Sequence, residues 1–286
     1  METKTIDAVG FRDGQRQQWN TAATGWRKWS ELIDGAASGI SERLVELAGV
    51  ERGSRVLDVA AGYGEPTLSA ARKAGPEGRV VATDISPEML AFGRERVAAA
   101  GLDNIDFVES DAASLDFPEA SFDAALSRWG IIFEPDGEAA AARVRTFLEP
   151  GARMAISSWG SPEHVPFLAI PMRTAMQRLK VPPPPAGTPG PLSRPTPEAL
   201  VGLLEGGGFS DVEVEDAEVT FEWESAEDFT TFIKEIAPPI TAMIAPHPLD
   251  VQAETWVAIT EAIREKIADD GTLTLTNLVL LAAGRA

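Results

Sequence analysis

The spacing of apolar positions changes several times along the chain, and each change marks an element. Between Gln15 and Ile33, the residues Trp19, Ala22, Trp26, Trp29 and Ile33 recur at spacings of three, four and seven, which puts them on one face of an amphipathic helix. A second helix is expected from Ser41 to Ala48, with Ser41 as N-cap and Gly49 as stop. Short apolar runs then alternate with helical patterns: RVLDVAAG, a helix to Ala74, RVVATDIS, a helix from Pro87 to Ala100, IDFVESDA, FDAALSRWG, a helix from Gly137 to Leu148, and RMAISSWG. Parallel neighbours require a crossover connection, so strands separated by helices predict an α/β, doubly wound, mostly parallel sheet.

The rest of the chain is patterned differently. VPPPPAGTPGPLSRPTP, from Val181 to Pro197, cannot continue a strand or a helix, because proline lacks the N–H donor and restricts the residue before it. The helix EALVGLLEGGG runs into three glycines. FSDVEVEDAEVTFEW and TLTLTNLVLLAAG supply two last strands, with a helical insertion from Ser225 to Asp269 between them. The expected organisation is a single domain over residues 1–286: a helical cap (1–49), a sheet core (50–160), lid insertions (161–200 and 225–270) and last strands (201–224 and 271–286).

Charge and composition narrow the function. With 44 acidic against 25 basic side chains, the net charge of −19 repels polyanions, so nucleic acid is not an expected partner. The chain has no cysteine, which excludes disulfides, thiolate metal sites and a cysteine nucleophile. No metal-ligand spacing stands out, and no metal is expected. The start METKTIDAVGFRDG lacks the blocks of a signal peptide, and no apolar run reaches the ~20 residues of a membrane span, so a cytoplasmic protein without membrane insertion is expected.

The glycine loop in VLDVAAGYGEPT carries the sharpest chemical signal. It lacks the lysine followed by serine or threonine that a triphosphate loop needs, and Thr67 stands where a dinucleotide loop keeps a third glycine or alanine. Asp58, inside the strand, would repel a pyrophosphate and favour an ammonium or sulfonium. Asp84 closes the second strand, where an acid can accept ribose hydroxyls, and Asp111 ends the third, placed for an adenine amino group. Three carboxylates on three successive strands point to a small adenosine ligand without phosphates.

VLDVAAGYGEPT, VVATDISPEML, VESDAASLDFPEASFDAALSRWGIIFEPD and LEPGARMAISSWG together resemble class I S-adenosylmethionine-dependent methyltransferases, in the branch similar to quinone-biosynthesis C-methyltransferases. The resemblance covers roughly residues 50 to 160. It implies a Rossmann-like seven-stranded sheet, mostly parallel with the last strand antiparallel, and S-adenosyl-L-methionine as cofactor with S-adenosyl-L-homocysteine as product. It also implies roles: Ala60, Ala61 and Gly62 beside the methionine moiety, Asp58 near its amino group, Asp84 on the ribose, Ile85 and Met89 around the adenine, Asp111 and Ala112 at its amino edge, and Gly64 and Ser127 in the same cofactor site. Tyr63, the only tyrosine, departs from the small residue common between the glycines, and either narrows the pocket or faces solvent.

The acceptor side is left to the ends of the fourth and fifth strands and to the N-terminal helix. Arg128 and Trp129 either contact an acidic or aromatic acceptor, or Trp129 packs beneath the lid with Arg128 on a surface carboxylate. Trp26, with Trp19 and Trp29, either covers the acceptor or packs as core. His164 is the candidate general base or else an exposed loop histidine; His247, Glu134 and Asp136 are weaker candidates. The expected activity is methyl transfer to an O or C atom of a small hydrophobic or aromatic acceptor, by a monomer or homodimer. A non-catalytic cofactor binder and a nicotinamide-dependent oxidoreductase are the alternatives.

Overall fold

The computed structural model describes residues 7–185, 187–269 and 271–286; the first six residues of the expected cap lie outside it. Helices α1 (Ala8–Lys28) and α2 (Ser30–Leu47) precede β1 (Arg55–Val59), α3 (Thr67–Ala74), β2 (Arg79–Asp84), α4 (Pro87–Ala99) and β3 (Ile105–Glu109). Strand β4 (Phe122–Arg128), α5 (Gly137–Phe147), β5 (Leu148–Trp159), α6 (Pro166–Leu179), α7 (Pro197–Gly206) and β6 (Ser210–Trp223) follow. The chain ends with α8 (Ala226–Ile236), α9 (Pro238–Ile244), α10 (Leu249–Arg264) and β7 (Leu273–Arg285).

The seven strands form one sheet in the order β3-β2-β1-β4-β5-β7-β6. Strands β1 to β5 pair in parallel, and β7 runs antiparallel to both β5 and β6. Successive side chains point to opposite faces of a strand, and the two apolar cores follow that alternation. Val56, Ala124 and Leu126 face one core with α2, α3 and the insertion helices. Leu57, Val59 and Ala125 face the other with α5 and α7. By the same alternation Asp58 and Arg128 share the first face, and Asp58 sits opposite Leu126 in the pairing of β1 with β4.

The N-terminal helices differ from their expected boundaries. The chain turns at Trp29 (φ −98°, ψ 8°), so α1 ends at Lys28 and α2 runs unbroken through Ser41. The apolar spacing continues across this turn, so no local signal marks it. What holds it is distant: Trp29 Nε1 donates to Glu235 at 2.5 Å, and its ring stands edge-on to Phe232 of α8. Ser41 is a fully buried mid-helix residue and not an N-cap, because its hydroxyl accepts from Arg128.

Candidate functional site

The carboxyl ends of β1 to β5 open on one cavity, and its lining follows the strand order. At the β3 end stand Ser110, Asp111 and Ala112; at β2, Asp84, Ile85 and Met89; at β1, Ala60, Ala61, Gly62, Tyr63 and Glu65. Arg128 ends β4 and Trp129, Gly130, Phe133 and Glu134 follow it, and Trp159 ends β5. Helix α1 roofs this row with Gln15, Trp19 and Trp26, while Phe167, Leu168, Met172, Phe232 and Ile240 close the β5 side.

The loop after β1 takes its shape from unusual backbone. Ala60, Gly62 and Gly64 all adopt positive φ (57°, 56° and 105°). This costs a non-glycine residue such as Ala60 on the order of 1 kcal/mol. Gly130 answers it across the sheet: a Cβ there would stand 2.4 Å from the Ala60 Cβ, so glycine is required where the β1 and β4 turns meet. A Cβ at Gly62 would meet no protein atom within 4 Å, so the backbone is bare on the cavity side. Gly64 packs against the Gly93 backbone and does not line the cavity.

Asp84 is buried and ties two loops together: Oδ2 accepts the Gly62 N–H and Oδ1 the Ser86 N–H, each at 2.8 Å. Burial pushes its pKa up to about 6, against the backbone N–H bonds that favour the charge. Asp58 lies beneath the loop, off the cavity wall, and is fully buried. One of its oxygens accepts from Thr67 and the other, Oδ1, has no partner. Burial pushes it up to about 7, opposed by the Thr67 hydroxyl and the positive charge of Arg128. Asp111 uses Oδ1 to cap the short turn at Ala112–Ser114, accepting from Ala113 and Ser114. Arg12 of α1 approaches the same oxygen at 3.5 Å and Glu134 at 3.2 Å. Burial holds Glu134 above the usual carboxylate range, with Arg12 pulling the other way.

Of the residues singled out from the sequence, Ala60, Ala61, Gly62, Asp84, Ile85, Met89, Asp111, Ala112, Trp26, Arg128 and Trp129 meet in this cavity. Asp58, Gly64, Ser127 and His164 do not line it. Ser127 is buried and its hydroxyl accepts the Ile131 N–H, fixing the turn after β4. His164 is exposed, its Nδ1 within 3.0 Å of the Ser161 hydroxyl, so its place after β5 does not bring it to the site. Neither His247 nor Asp136 reaches the cavity, and Asp136 instead caps α5. Trp19 and Trp26 roof the cavity, and only Trp29 is held away from it, against α8.

Tyr63 is the residue that the sequence left least defined. It is 2% exposed, not solvent-facing. Its hydroxyl donates to Asp34 at 2.8 Å and accepts from Arg128 at 3.2 Å, and its ring lies parallel to Phe92 and beneath Trp26. Arg96 closes the group, bonding both Asp34 and the Tyr63 carbonyl. On the β5 side, Trp129 and Trp159 stack with centroids 4.4 Å apart and planes 4° apart, and Phe167 abuts Trp159. The insertion residues that wall this end, with Phe221 of β6, are apolar; none of Phe167, Leu168, Met172, Phe221, Phe232 and Ile240 carries a titratable group.

Residues 56–151 match the family described as a methyltransferase domain. The ubiquinone/menaquinone biosynthesis C-methyltransferase UbiE of Teredinibacter turnerae is 30% identical over 163 residues, 56% of this chain and 66% of that protein. UbiE of Pseudomonas putida is 37% identical over 138 residues, 46% of this chain and 54% of that protein. The matches thus span little more than half to just under two thirds of those relatives. A solved Haemonchus contortus phosphoethanolamine N-methyltransferase 2 in complex with S-adenosyl-L-methionine is similar in fold at a TM-score of 0.60 and 21% identity, covering 96% of this chain and 59% of that one. Residues 56–151 therefore form a class I S-adenosylmethionine-dependent methyltransferase domain, in the branch similar to the quinone-biosynthesis C-methyltransferases.

Proposed function

We propose that the protein transfers a methyl group from S-adenosylmethionine to a carbon or oxygen atom of a small, hydrophobic aromatic acceptor. The observation that carries this reading is the continuity of one cavity from the acidic strand tips of β3 and β2 to the stacked tryptophans at β4 and β5. Two features fit the cofactor: the bare backbone at Gly62, which lets a ligand approach closely, and the buried, unpartnered Oδ1 of Asp58 below the loop. Asp84 would accept the ribose hydroxyls and Asp111 the adenine amino group, with Ile85 and Met89 against the ring. When bound, S-adenosylmethionine brings a methyl group already activated by positive sulfur.

The chain's own work is then alignment and exclusion of water. Orientation of a bound pair can supply as much as ~7–11 kcal/mol of a barrier. The Trp129–Trp159 wall, Phe167 and the roof of α1 hold an apolar ring at the cavity's far end and keep it dry. An electron-rich ring carbon, as in a quinol, would attack the methyl carbon as the S–CH3 bond breaks and then lose its ring proton to water, so no strong base is needed before the attack, which suits an apolar chamber. The names of the curated relatives favour such an acceptor.

Calorimetry with S-adenosylhomocysteine, followed by incubation with labelled S-adenosylmethionine and a panel of quinols and phenols, tests this. Binding of the product and label transfer to one of the panel is the expected outcome. No binding of either cofactor form overturns the reading; tight binding without any transfer favours a non-catalytic binder.

A further inference from the structure

Arg128 is a buried cation with no ion-pair partner among the described residues. It is 7% exposed, and its guanidinium donates to two neutral hydroxyls, those of Ser41 at 2.9 Å and Tyr63 at 3.2 Å. Among the described residues no carboxylate forms an ion pair with it; Asp34 and Glu65 act on it only from a distance. Burial opposes its charge, but Tyr63, Glu65 and Asp34 outweigh that and keep it protonated. A guanidinium held charged in a cavity wall with donors to spare is organised for an anion.

The strand order says which anion. Neighbouring strands are about 4.8 Å apart, so from Asp111 at β3 to Arg128 at β4 the cavity runs past three strand intervals, roughly 14 Å. An adenosyl amino acid laid along that row with its base at β3 and its ribose at β2 places its amino-acid end at β1 and β4. There Arg128 brings a positive charge to the cavity wall, and Asp58 a carboxyl group behind the loop, beneath that wall. The orphan Oδ1 of Asp58 and the guanidinium of Arg128 lie on the same face of adjacent strands, one two-residue step apart, and do not pair with each other. The hydrogen bonds of Arg128 run to the loop residue Tyr63 and to Ser41 of α2, while its guanidinium stands 5.2 Å from the centroid of the Trp129 ring, between the loop and the tryptophan wall.

We propose that Arg128 anchors the carboxylate of the cofactor's amino-acid tail and is not a contact for the methyl acceptor. The assignment rests on the cofactor reading above. Its consequence is that, with Arg128 taken up by the cofactor, no other Lys or Arg among the described lining residues remains for the acceptor, and the site selects a neutral one.

The test compares S-adenosylhomocysteine with its decarboxylated analogue, by calorimetry, on the wild type, Arg128→Met and Arg128→Lys. One charge-assisted pair corresponds to roughly 10- to 100-fold in affinity. The wild type is expected to bind the analogue weaker by that factor. Arg128→Met should bind both ligands alike, and Arg128→Lys should fall between. If Arg128→Met does not fold, the lysine variant carries the comparison, since a compact ammonium cannot reproduce the guanidinium fork. Equal affinity of the wild type for both ligands overturns the proposal, as does full discrimination surviving in either variant. A wild type that binds neither ligand instead sinks the cofactor reading on which the proposal rests.

Discussion

Asp84 and Gly62 are joined across the sheet: the carboxylate at the end of β2 accepts the N–H of the loop after β1 at 2.8 Å. The same carboxyl titrates near 6 because it is buried, with the N–H groups of Ser86 and Gly62 pulling it back. On the proposed reading Asp84 accepts the ribose hydroxyls, for which the charged form is the better acceptor, so binding selects that form. Affinity for S-adenosylhomocysteine is therefore expected to fall as pH drops through about 6, by up to roughly tenfold per pH unit. Asp84→Asn should bind more weakly at pH 8 and lose this inflection. Calorimetric titrations between about pH 5 and 8 decide it, and an identical pH profile in the variant would refute the assignment.

Asp58 sets function against stability. Its folded-state pKa of about 7 lies above the ordinary 3.8, so the folded protein holds this proton more tightly than the unfolded chain does. Its stabilising contribution is full below the ordinary value and is lost as pH rises through about 7. Asp58→Asn keeps an acceptor for Thr67 and removes the buried charge. Without ligand it should exceed the wild type at pH 8 by on the order of 1–2 kcal/mol, with the gap closing toward pH 5. Its affinity for S-adenosylhomocysteine should nevertheless be lower. Urea unfolding at both pH values checks the sign; a wild type that is the more stable at pH 8 contradicts it.

Tyr63→Phe isolates the hydroxyl that links Asp34 to Arg128. The ring contacts with Phe92 and Trp26 survive, while Asp34 loses a donor and Arg128 an acceptor, both in a part-buried group. Leaving such partners unsatisfied costs roughly 1–3 kcal/mol. That corresponds to a Tm lower by about 2 to 10 °C for a chain of this size. Calorimetric melting reads the shift directly, and an unchanged Tm means that water replaces the hydroxyl at no cost.

The parallel strands and most of their crossover helices were legible because each is encoded locally: apolar runs such as RVLDV and RVVATD, a Ser86–Pro87 helix start, and glycine after the last turn. Asp84 and Asp111 were legible for the same reason, since a carboxylate at a strand's carboxyl end has its place set by the strand. The turn at Trp29 was not, because its partners Glu235 and Phe232 lie about 200 residues away in sequence. Ser41 misled for the opposite reason: serine is a good N-cap by local preference, and only Arg128 on β4 explains a buried hydroxyl in mid-helix. Tyr63 likewise takes its meaning from Asp34, Arg96 and Arg128, which no spacing in the sequence brings together.

His164 and Trp159 separate proximity in sequence from a place in the site. His164 follows β5 by five residues, yet it faces solvent and bonds the Ser161 hydroxyl. Trp159 ends the strand itself, 7% exposed, stacked on Trp129 and abutted by Phe167. His164→Ala is therefore expected to leave turnover, its pH profile and cofactor affinity unchanged. Trp159→Leu keeps an apolar side chain but removes the flat surface on which an aromatic acceptor would lie, an aromatic contact corresponding to about 0.5–1.5 kcal/mol beyond area burial. Its KM for the acceptor should rise roughly tenfold, while its affinity for S-adenosylhomocysteine, which the proposed reading lays along β1 to β4, stays within a factor of about two. The cofactor titration also shows that the variant is folded, so a raised KM cannot be attributed to unfolding. Loss of turnover in His164→Ala at intact cofactor binding would return the histidine to the site. An unchanged acceptor KM in Trp159→Leu would move the acceptor away from the tryptophan wall.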